Sequence, residues 1–203
     1  MIYNYQPIPI VKIKFNRSLL PEEKNFLFSC PMQYIEENNN YFSNDYSILS
    51  NSSLKLLRLE IEKILDQYRQ DILGISQNLK ITQSWVTKTT KNGWHSVHDH
   101  PNSMFSCVMY LQTPPHSSIR FENKNSIFKN FNFKFNHTKQ TEYNMDNFEL
   151  NVDNMDIVIF PSWINHSVDV NTTNIDRVVL GINAFVFGEF GENAAYPMQL
   201  TLQ

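Results

Sequence analysis

This chain lacks several features that would place it in a specialised class of protein. It has only two cysteines, Cys30 and Cys107, so no disulfide framework is indicated and a reducing cytoplasm is expected. Its formal net charge is −3, whereas nucleic-acid-binding surfaces usually carry an excess of basic residues, so we expect no nucleic-acid partner. No apolar run approaches the roughly 18 residues of a transmembrane helix, and no signal peptide is recognisable at the N-terminus. We therefore expect a cytoplasmic protein without a membrane partner.

What the chain does have is the composition of a protein with a substantial core. Of its 203 residues, 41% are hydrophobic and 13% aromatic, including fifteen Phe and nine Tyr. A chain of this length is expected to form one domain, 1–203. Within it, residues 1–78 are expected to supply a strand and supporting helices, and residues 79–190 a jelly-roll core that carries the functional site.

The first part of the chain predicts one edge strand and two helices. Residues 8–15 alternate apolar and basic side chains, which is typical of an edge strand. Pro21 and two following acidic residues predict the start of a short helix. Residues 30–51 are polar and are interpreted as a loop. From Leu54 to about residue 72, apolar residues recur at helical spacing and predict an amphipathic helix.

After Leu79 the apolar pattern changes to a period of two in short runs. Turn-forming residues rich in Asn, Gly and Pro separate these runs. The predicted strands are 81–90, 104–111, 118–122, 131–135, 148–152, 157–160, 166–170 and 177–187. Helices followed by about eight short strands predict a mainly β protein with N-terminal helices, in a double-stranded β-helix, the jelly-roll or cupin-like architecture.

The residues with the clearest chemical potential are histidines. His98 and His100 are two residues apart, and on a strand such residues point to the same face, where both imidazoles can meet one ion. Pro101 is expected to end that strand or to bend it. His166 follows another buried strand, and Arg177 heads a very apolar strand, where an inward guanidinium needs a partner. Ligands that arrive from different strands and leave open positions are typical of non-haem iron sites.

Other conspicuous residues near this cluster have simpler interpretations. His95 is interpreted as a loop histidine, with a substrate contact as the alternative. Asp99 lies between two candidate ligands and is expected to point away from the ion, into solvent or into the outer shell. Trp94 and Trp163 flank the cluster, and core packing is the expected role of both, with a pocket wall as the alternative.

The stretch from Trp85 to Gly191 resembles the 2-oxoglutarate/Fe(II)-dependent oxygenases of bacteria and phages. The matching pieces are, in order, SW at 84–85, HDHPNS at 98–103, a strand ending in YL at 110–111, FPSWINHSV at 160–168, and an arginine at 177 followed by GIN at 181–183. The order and spacing of these pieces together carry the resemblance, since no single piece is specific.

The resemblance implies a role for five residues. His98, His100 and His166 would hold Fe(II). Arg177 would bind the far carboxylate of 2-oxoglutarate in a two-pronged ion pair, a geometry that Arg suits better than Lys. Tyr110 would donate its hydroxyl to the same carboxylate.

The sequence also departs from the pattern of the wider superfamily at three positions. The usual metal pair is H-x-D, whereas His100 stands at the third position here and resembles an H-x-H-P subfamily. The superfamily often has Ser or Thr two residues after the arginine, where this chain has Val179. Cys107 occupies a position that is usually glycine in the similar proteins.

The implied reaction is hydroxylation of a C–H bond with O2, with release of succinate and CO2. The substrate would be a small molecule or a peptide, with residues 30–51 and 123–147 forming its pocket, and a homodimer is an open alternative to a monomer. Two other functions remain open: a three-histidine cupin-type metal dioxygenase that does not use 2-oxoglutarate, and an inactive jelly-roll binding protein. Arg177 and Tyr110 argue against the dioxygenase, because they would have no carboxylate to bind.

Overall fold

The computed structural model of the protein describes residues 7–122, 135–141, 143–191 and 200–202. Apart from Phe135, the strand predicted at 131–135 lies outside these residues. Within the described part of the chain, no helix is long and apolar enough to cross a membrane.

The N-terminal part contains two helices and three short strands. These are β1 (Val11–Lys14), α1 (Pro21–Ser29), β2 (Met32–Ile35), β3 (Asn40–Ser43) and α2 (Lys55–Tyr68), which continues as a π-helical turn over Arg69–Leu73. The edge strand and both helices were predicted. The loop predicted at 30–51 was wrong, because β2 and β3 form a hairpin there and β3 pairs with the strand after α2. Strands of four residues carry too little alternation to be seen in sequence.

The rest of the described chain is almost entirely strand. Its strands are β4 (Asn78–Thr89), β5 (His95–His98), β6 (Phe105–Gln112), β7 (Ser118–Glu122), β8 (Asn147–Asn151), β9 (Asp156–Pro161), β10 (His166–Val168), β11 (Arg177–Phe190) and β12 (Leu200–Leu202). They form two sheets. In the large sheet the order is β1-β9-β6-β11-β4-β3-β2, with β12 added to β11, and in the small sheet it is β5-β10-β7-β8. The predicted mainly β jelly roll with N-terminal helices is therefore confirmed.

The helices cover the outer face of the large sheet. Leu57, Ile61 and Leu65 of α2 are buried against Leu180 and Ile182 of β11 in the larger hydrophobic cluster. A fully buried Leu or Ile contributes about 1.5–3 kcal/mol relative to an exposed one, so this apolar layer is a major source of stability. It fixes the position of β11, whose inner face carries part of the site.

Side chains alternate between the two faces of β6, so this strand contributes to two separate hydrophobic clusters. Cys107 and Met109 point to the helix-backed cluster, whereas Tyr110 joins a second cluster between the two sheets. Phe121 of β7 and Phe160 of β9 belong to this inner cluster, with their rings 5.0 Å apart in an edge-to-face arrangement. The inner core therefore closes one end of the space between the sheets.

An ion-pair cluster joins the N-terminal segment to both helices. Arg17 Nη1 lies 2.7 Å from Glu23 Oε2, and Arg17 Nε lies 2.9 Å from Glu60 Oε2. Glu23 is fully buried and also accepts a hydrogen bond from the backbone N–H of Leu20 at 2.8 Å. Burial opposes ionisation of Glu23, but the hydrogen bonds from Arg17 and Leu20 outweigh it and hold the Glu23 pKa below its usual value. Glu23 is thus a satisfied buried carboxylate.

Candidate metal centre

A cavity of about 510 Å³ opens between the two sheets. Its walls combine apolar side chains from β6, β7 and β11 with polar side chains from β4, β5 and β10. The residues on which its chemistry depends are His95, His98, His100, Tyr110, His166 and Arg177.

The three histidines that the sequence singled out lie together at this cavity. His98 ends β5 and is the direct cross-strand partner of His166 on β10. One ring nitrogen of each of His98, His100 and His166 lies within 4.8 Å of those of the other two. The chain therefore brings three imidazoles to one point, from a strand end, a turn and a second strand.

His100 reaches this point differently from the prediction. β5 ends at His98 rather than at Pro101, so His100 lies in the turn that follows. Its backbone N–H donates to the carbonyl oxygen of Ser162 at 3.0 Å, which holds the turn against the chain after β9. The two rings do approach one another, with centroids 5.4 Å apart, but a tethered turn and not strand alternation brings them together.

Two of the rings have a tautomer set by backbone carbonyls. His98 Nδ1 lies 2.8 Å from the carbonyl oxygen of Ser96, and His166 Nδ1 lies 3.0 Å from that of Ile164. A carbonyl can only accept, so each Nδ1 carries the hydrogen. The Nε2 lone pair of each ring is then free for a metal ion, and the carbonyl fixes the ring orientation as an outer-shell partner.

The electrostatics favour neutral imidazoles. Burial, together with the smaller effect of the nearby His98, lowers the pKa of His166 to about 3. Burial also lowers the pKa of His100 below its usual value. Since a metal ligand must be unprotonated, both rings are in the required state at neutral pH.

Arg177 enters the same cavity as a buried cation without a partner. The residue is 6% exposed, and its Nε and Nη1 atoms have no hydrogen-bond partner within the described ranges. Burial lowers its pKa, as expected for a charge that is poorly compensated. Tyr110 also lines the cavity, and burial raises the pKa of its phenol. This end of the cavity suits an anion.

The two departures near these residues have different consequences. Val179 lines the cavity two residues after Arg177, so the hydroxyl that the superfamily often places there is missing from this wall. Cys107 faces the helix-backed cluster, where burial raises the pKa of its thiol to about 12. The thiol therefore takes no part in the cavity.

His95 was predicted as a loop histidine, which was wrong. It begins β5 and lines the cavity, with Nε2 3.1 Å from the hydroxyl of Thr89. Burial lowers its pKa to about 3, so it is a neutral hydrogen-bonding group at the wall. Asp99 is exposed, as expected, although it also contributes to the rim of the cavity.

The tryptophans were also misjudged. Trp94 is 37% and Trp163 54% exposed, so neither packs in the core. The tryptophan at the cavity is Trp85 on β4, whose ring lies 5.6 Å from that of His100. It lies across Gly181 on the neighbouring β11, where an added Cβ would be 2.6 Å from the indole. Gly181 is required there because only a glycine leaves space for that ring.

Sequence reasoning missed the polar groups behind His100. Its Nδ1 lies 2.8 Å from Asn183 Oδ1 and 2.7 Å from Ser106 Oγ, and Ser106 Oγ lies 2.8 Å from Ser162 Oγ. The available signal was Ser106 itself, a polar residue within an otherwise apolar strand, which must find a partner when buried.

Part of the expected substrate pocket is present. From the segment 30–51, Asn38, Phe42 and Tyr46 line the cavity and form a wall opposite the small sheet. Much of the second expected segment, 123–147, lies outside the described residues.

Three solved structures share this fold and are distant from the chain in sequence. The oxidoreductase of the 2OG-Fe(II) oxygenase family from Burkholderia pseudomallei is 12% identical with a TM-score of 0.61, covering 86% of this chain and 83% of its own. HygX from Streptomyces hygroscopicus, solved with nickel and 2-oxoglutarate, is 11% identical with a TM-score of 0.58, covering 87% and 82%. A Pseudomonas putida prolyl-4-hydroxylase is 11% identical with a TM-score of 0.54, covering 87% and 92%. At this identity the likeness establishes the fold.

Among curated proteins, none matches the sequence. A family model described as "Putative 2OG-Fe(II) oxygenase" matches residues 83–183, from the inner face of β4 to Asn183 on β11. The matched segment contains the three clustered histidines, Tyr110 and Arg177. The chain therefore belongs to the 2OG-Fe(II) oxygenase family.

Proposed function

We propose that His98, His100 and His166 hold Fe(II) and that Arg177 and Tyr110 bind 2-oxoglutarate in an oxygenase that hydroxylates a C–H bond. The observation that carries this assignment is the buried Arg177, whose Nε and Nη1 have no hydrogen-bond partner in the described part of the chain and which lines the same cavity as the three histidines. An uncompensated buried cation is costly, so its presence is best explained by an anionic ligand.

The residues present fit both groups. Three imidazoles offer three nitrogen ligands and leave open positions, as non-haem iron sites require. A guanidinium matches a carboxylate with two parallel N–H donors, and the phenol of Tyr110 adds a neutral one. When bound together, Fe(II) and 2-oxoglutarate activate O2, release succinate and CO2, and supply the oxidising power for the substrate.

The chain's own contribution is position and exclusion of water. Arg177 and Tyr110 fix one end of the keto acid, so that its other end is directed toward the histidines. Val108, Ile119 and Val179 make the intervening wall apolar, which strengthens the ion pair at Arg177. A three-histidine set is one unit more positive than the usual two-histidine, one-carboxylate set, which favours binding of a dianionic keto acid.

The substrate is proposed to be a small molecule or a peptide side chain. The remaining wall is largely aromatic, with Phe42, Tyr46 and Trp85. A cavity of about 510 Å³ has room for a small molecule or one peptide side chain beside the keto acid. A cytoplasmic location is part of the proposal, and the buried free thiols of Cys30 and Cys107 support it.

The test is anaerobic titration of the purified protein with Fe(II) and then 2-oxoglutarate. We expect about one iron per chain and the weak visible charge-transfer band of a chelated keto acid. His166→Ala should abolish iron binding, whereas His116→Asn, a change at an exposed histidine with a positive φ of 59°, should not. Undiminished iron in His166→Ala would contradict the ligand set.

The keto-acid site is tested by two further variants. Arg177→Leu should weaken 2-oxoglutarate binding by about 2–5 kcal/mol, because a buried carboxylate loses its cation. Tyr110→Phe should cost about 1 kcal/mol, the value of one neutral donor. The reverse order would show that the keto-acid pocket is misplaced. Iron binding without any 2-oxoglutarate binding would favour the three-histidine dioxygenase instead.

A further inference from the structure

A chain of three serine hydroxyls runs through the structure behind His100. Ser103 Oγ lies 3.1 Å from the carbonyl oxygen of Phe105 and 3.3 Å from that of Ala184. Ser162 Oγ lies 2.9 Å from Ser103 Oγ, and Ser106 Oγ lies 2.8 Å from Ser162 Oγ. The chain ends at the ring of His100, so it connects backbone carbonyls to a proposed metal ligand.

Each hydroxyl has one hydrogen, which gives the chain a direction. The carbonyls beside Ser103 can only accept, so Ser103 gives them its hydrogen. Ser162 then donates to Ser103, which leaves Ser106 to donate either to Ser162 or to Asn183 Oδ1. Ser106 presents a lone pair to His100 Nδ1, 2.7 Å away, and that nitrogen must carry a hydrogen.

Asn183 leads to the same conclusion independently. Its Nδ2 donates to Gln83 Oε1 at 2.8 Å, which turns its Oδ1 toward the ring of His100. Oδ1 lies 2.8 Å from His100 Nδ1 and can only accept. Ser106 also lies 3.2 Å from this oxygen, and whether its hydrogen goes there or to Ser162, its lone pair still faces the ring.

We propose that Ser106, Ser162 and Asn183 are positioning residues that hold His100 in its Nδ1–H tautomer and so leave Nε2 for the metal ion. The proposal rests on the proposed function only in the identity of that ion. Ser106 and Ser162 are fully buried and Asn183 is 4% exposed, so water does not offer an alternative partner to the same extent as at a surface histidine.

This arrangement accounts for an imidazole at position 100. Ser106 Oγ and Asn183 Oδ1 already act as acceptors toward residue 100. A carboxylate ligand would place a third acceptor against them, and a carboxylate has no tautomer to select. His100→Asp should therefore bind metal more weakly than the wild type, although it restores the commoner H-x-D pair. Partners of this kind typically change metal affinity by about 10–100-fold.

The direct test reads the tautomer without metal. A long-range ¹H–¹⁵N spectrum of the apo protein at neutral pH, with His100 identified through a His100→Gln variant, distinguishes Nδ1–H from Nε2–H. We expect Nδ1–H in the wild type and a shift toward Nε2–H in the double variant Ser106→Ala/Asn183→Leu. A wild-type His100 in the Nε2–H form would overturn the proposal, even if the double variant failed to fold.

The second test measures Co(II) affinity of the apo protein by competition with a chelator. Ser106→Ala and Ser162→Ala should each weaken Co(II) binding. In the double variant Ser106→Ala/Asn183→Leu, the Co(II) affinity should fall about 10–100-fold. Ser117→Ala is the matched control, because Ser117 is a buried serine whose hydroxyl bonds only the carbonyl of Pro114 in the described structure. Failure of the wild type to bind Co(II) would contradict the proposed function and leave the tautomer result intact. Unchanged affinity in all three variants, with normal wild-type binding, would overturn the positioning role alone.

Discussion

Two arginines on opposite sides of the large sheet are buried in opposite ways. Arg17, on the helix-backed side, donates to Glu23 and Glu60. Arg177, in the cavity, has two nitrogen atoms without any partner in the described structure and is more deeply buried. The difference fits two uses of one residue type: Arg17 finds its partners within the fold, whereas in the proposed function Arg177 finds its partner in a bound ligand.

The same contrast separates the two faces of the sheet. The helix-backed face is an apolar core bordered by the ion pairs of Arg17 with Glu23 and Glu60. The cavity face holds the three clustered imidazoles and Arg177, two of whose buried nitrogen atoms have no hydrogen-bond partner in the described part of the chain, and buried polar groups of this kind reduce stability unless something binds them. Stability and function are therefore located on different faces, and substitutions should distinguish them.

The largest expected effect is on the helix-backed side. Arg17→Leu should lower the free energy of unfolding by about 3–5 kcal/mol, because it leaves the carboxylate of Glu23 buried without its cation. The measurement is urea unfolding of the apo protein. Arg58→Leu is the control, since the Arg58–Glu62 pair is exposed and should be worth about 0.5 kcal/mol. Equal losses of unfolding free energy in the two variants would show that the Arg17 ion pair contributes no more than an exposed one. Arg17 would then no longer serve as the structural counterpart of Arg177.

The loss in Arg17→Leu should also depend on pH. The pKa of Glu23 is lowered in the folded wild type, so the ion pair stabilises fully above the unfolded pKa of about 4.3 and is lost as pH falls through the folded value. Without Arg17, burial of Glu23 is opposed only by its remaining backbone hydrogen bonds, and protonation relieves the penalty. The difference in unfolding free energy between wild type and variant should therefore shrink from pH 7 to about pH 3. A difference that stays constant over this range would show that Glu23 is not its source.

An intermediate effect on stability is expected where Trp85 of β4 packs across Gly181 of β11. Gly181→Ala should cost about 1–3 kcal/mol of stability, because the new Cβ would lie 2.6 Å from the indole of Trp85. The same change in a Trp85→Ala background should cost clearly less. A double-mutant cycle on unfolding free energies measures this coupling. Additive losses would mean that the two residues are not in the predicted conflict.

The smallest effect on stability is expected at Arg177. Arg177→Leu should leave the unfolding free energy of the apo protein unchanged or raise it, because a buried charge without a partner is removed. The rise in melting temperature that 2-oxoglutarate gives the iron-loaded wild type should disappear in this variant. A loss of apo stability similar to that of Arg17→Leu would show that Arg177 has a structural partner. The proposed difference between the two arginines would then be wrong.

Strong periodicity is what made parts of this fold predictable. Helix α2 and the strands β4, β6 and β11 have enough residues for their apolar spacing to be unambiguous, and the structure confirms them. The hairpin of β2 and β3 was missed, because such four-residue strands form through pairing with their neighbours, β2 with β3 and β3 with β4, which is a tertiary effect.

The site was predictable in its reactive residues and not in its support. The proposed ligands and Arg177 came from motif spacing and the resemblance to the family, and the structure brings them to one cavity. The hydrogen-bond chain behind His100 could not be predicted, since it needs Ser106, Ser162 and Asn183 to converge from three separate strands or turns. The exposure of Trp94 and Trp163 was missed for a similar reason, because amphipathic rings give no sign of which face will be covered.

The cross-strand pairing of His98 with His166 has a consequence for kinetics. These residues are far apart in the chain and meet only when β5 has docked on β10, so an ion between them closes a long loop and must be released before the small sheet can open. Bound metal should therefore slow the unfolding of that sheet more than it changes the rate of folding. Backbone amides of β5 and β10 should exchange with deuterium in the apo protein through local opening, and this exchange should become much slower once metal is bound.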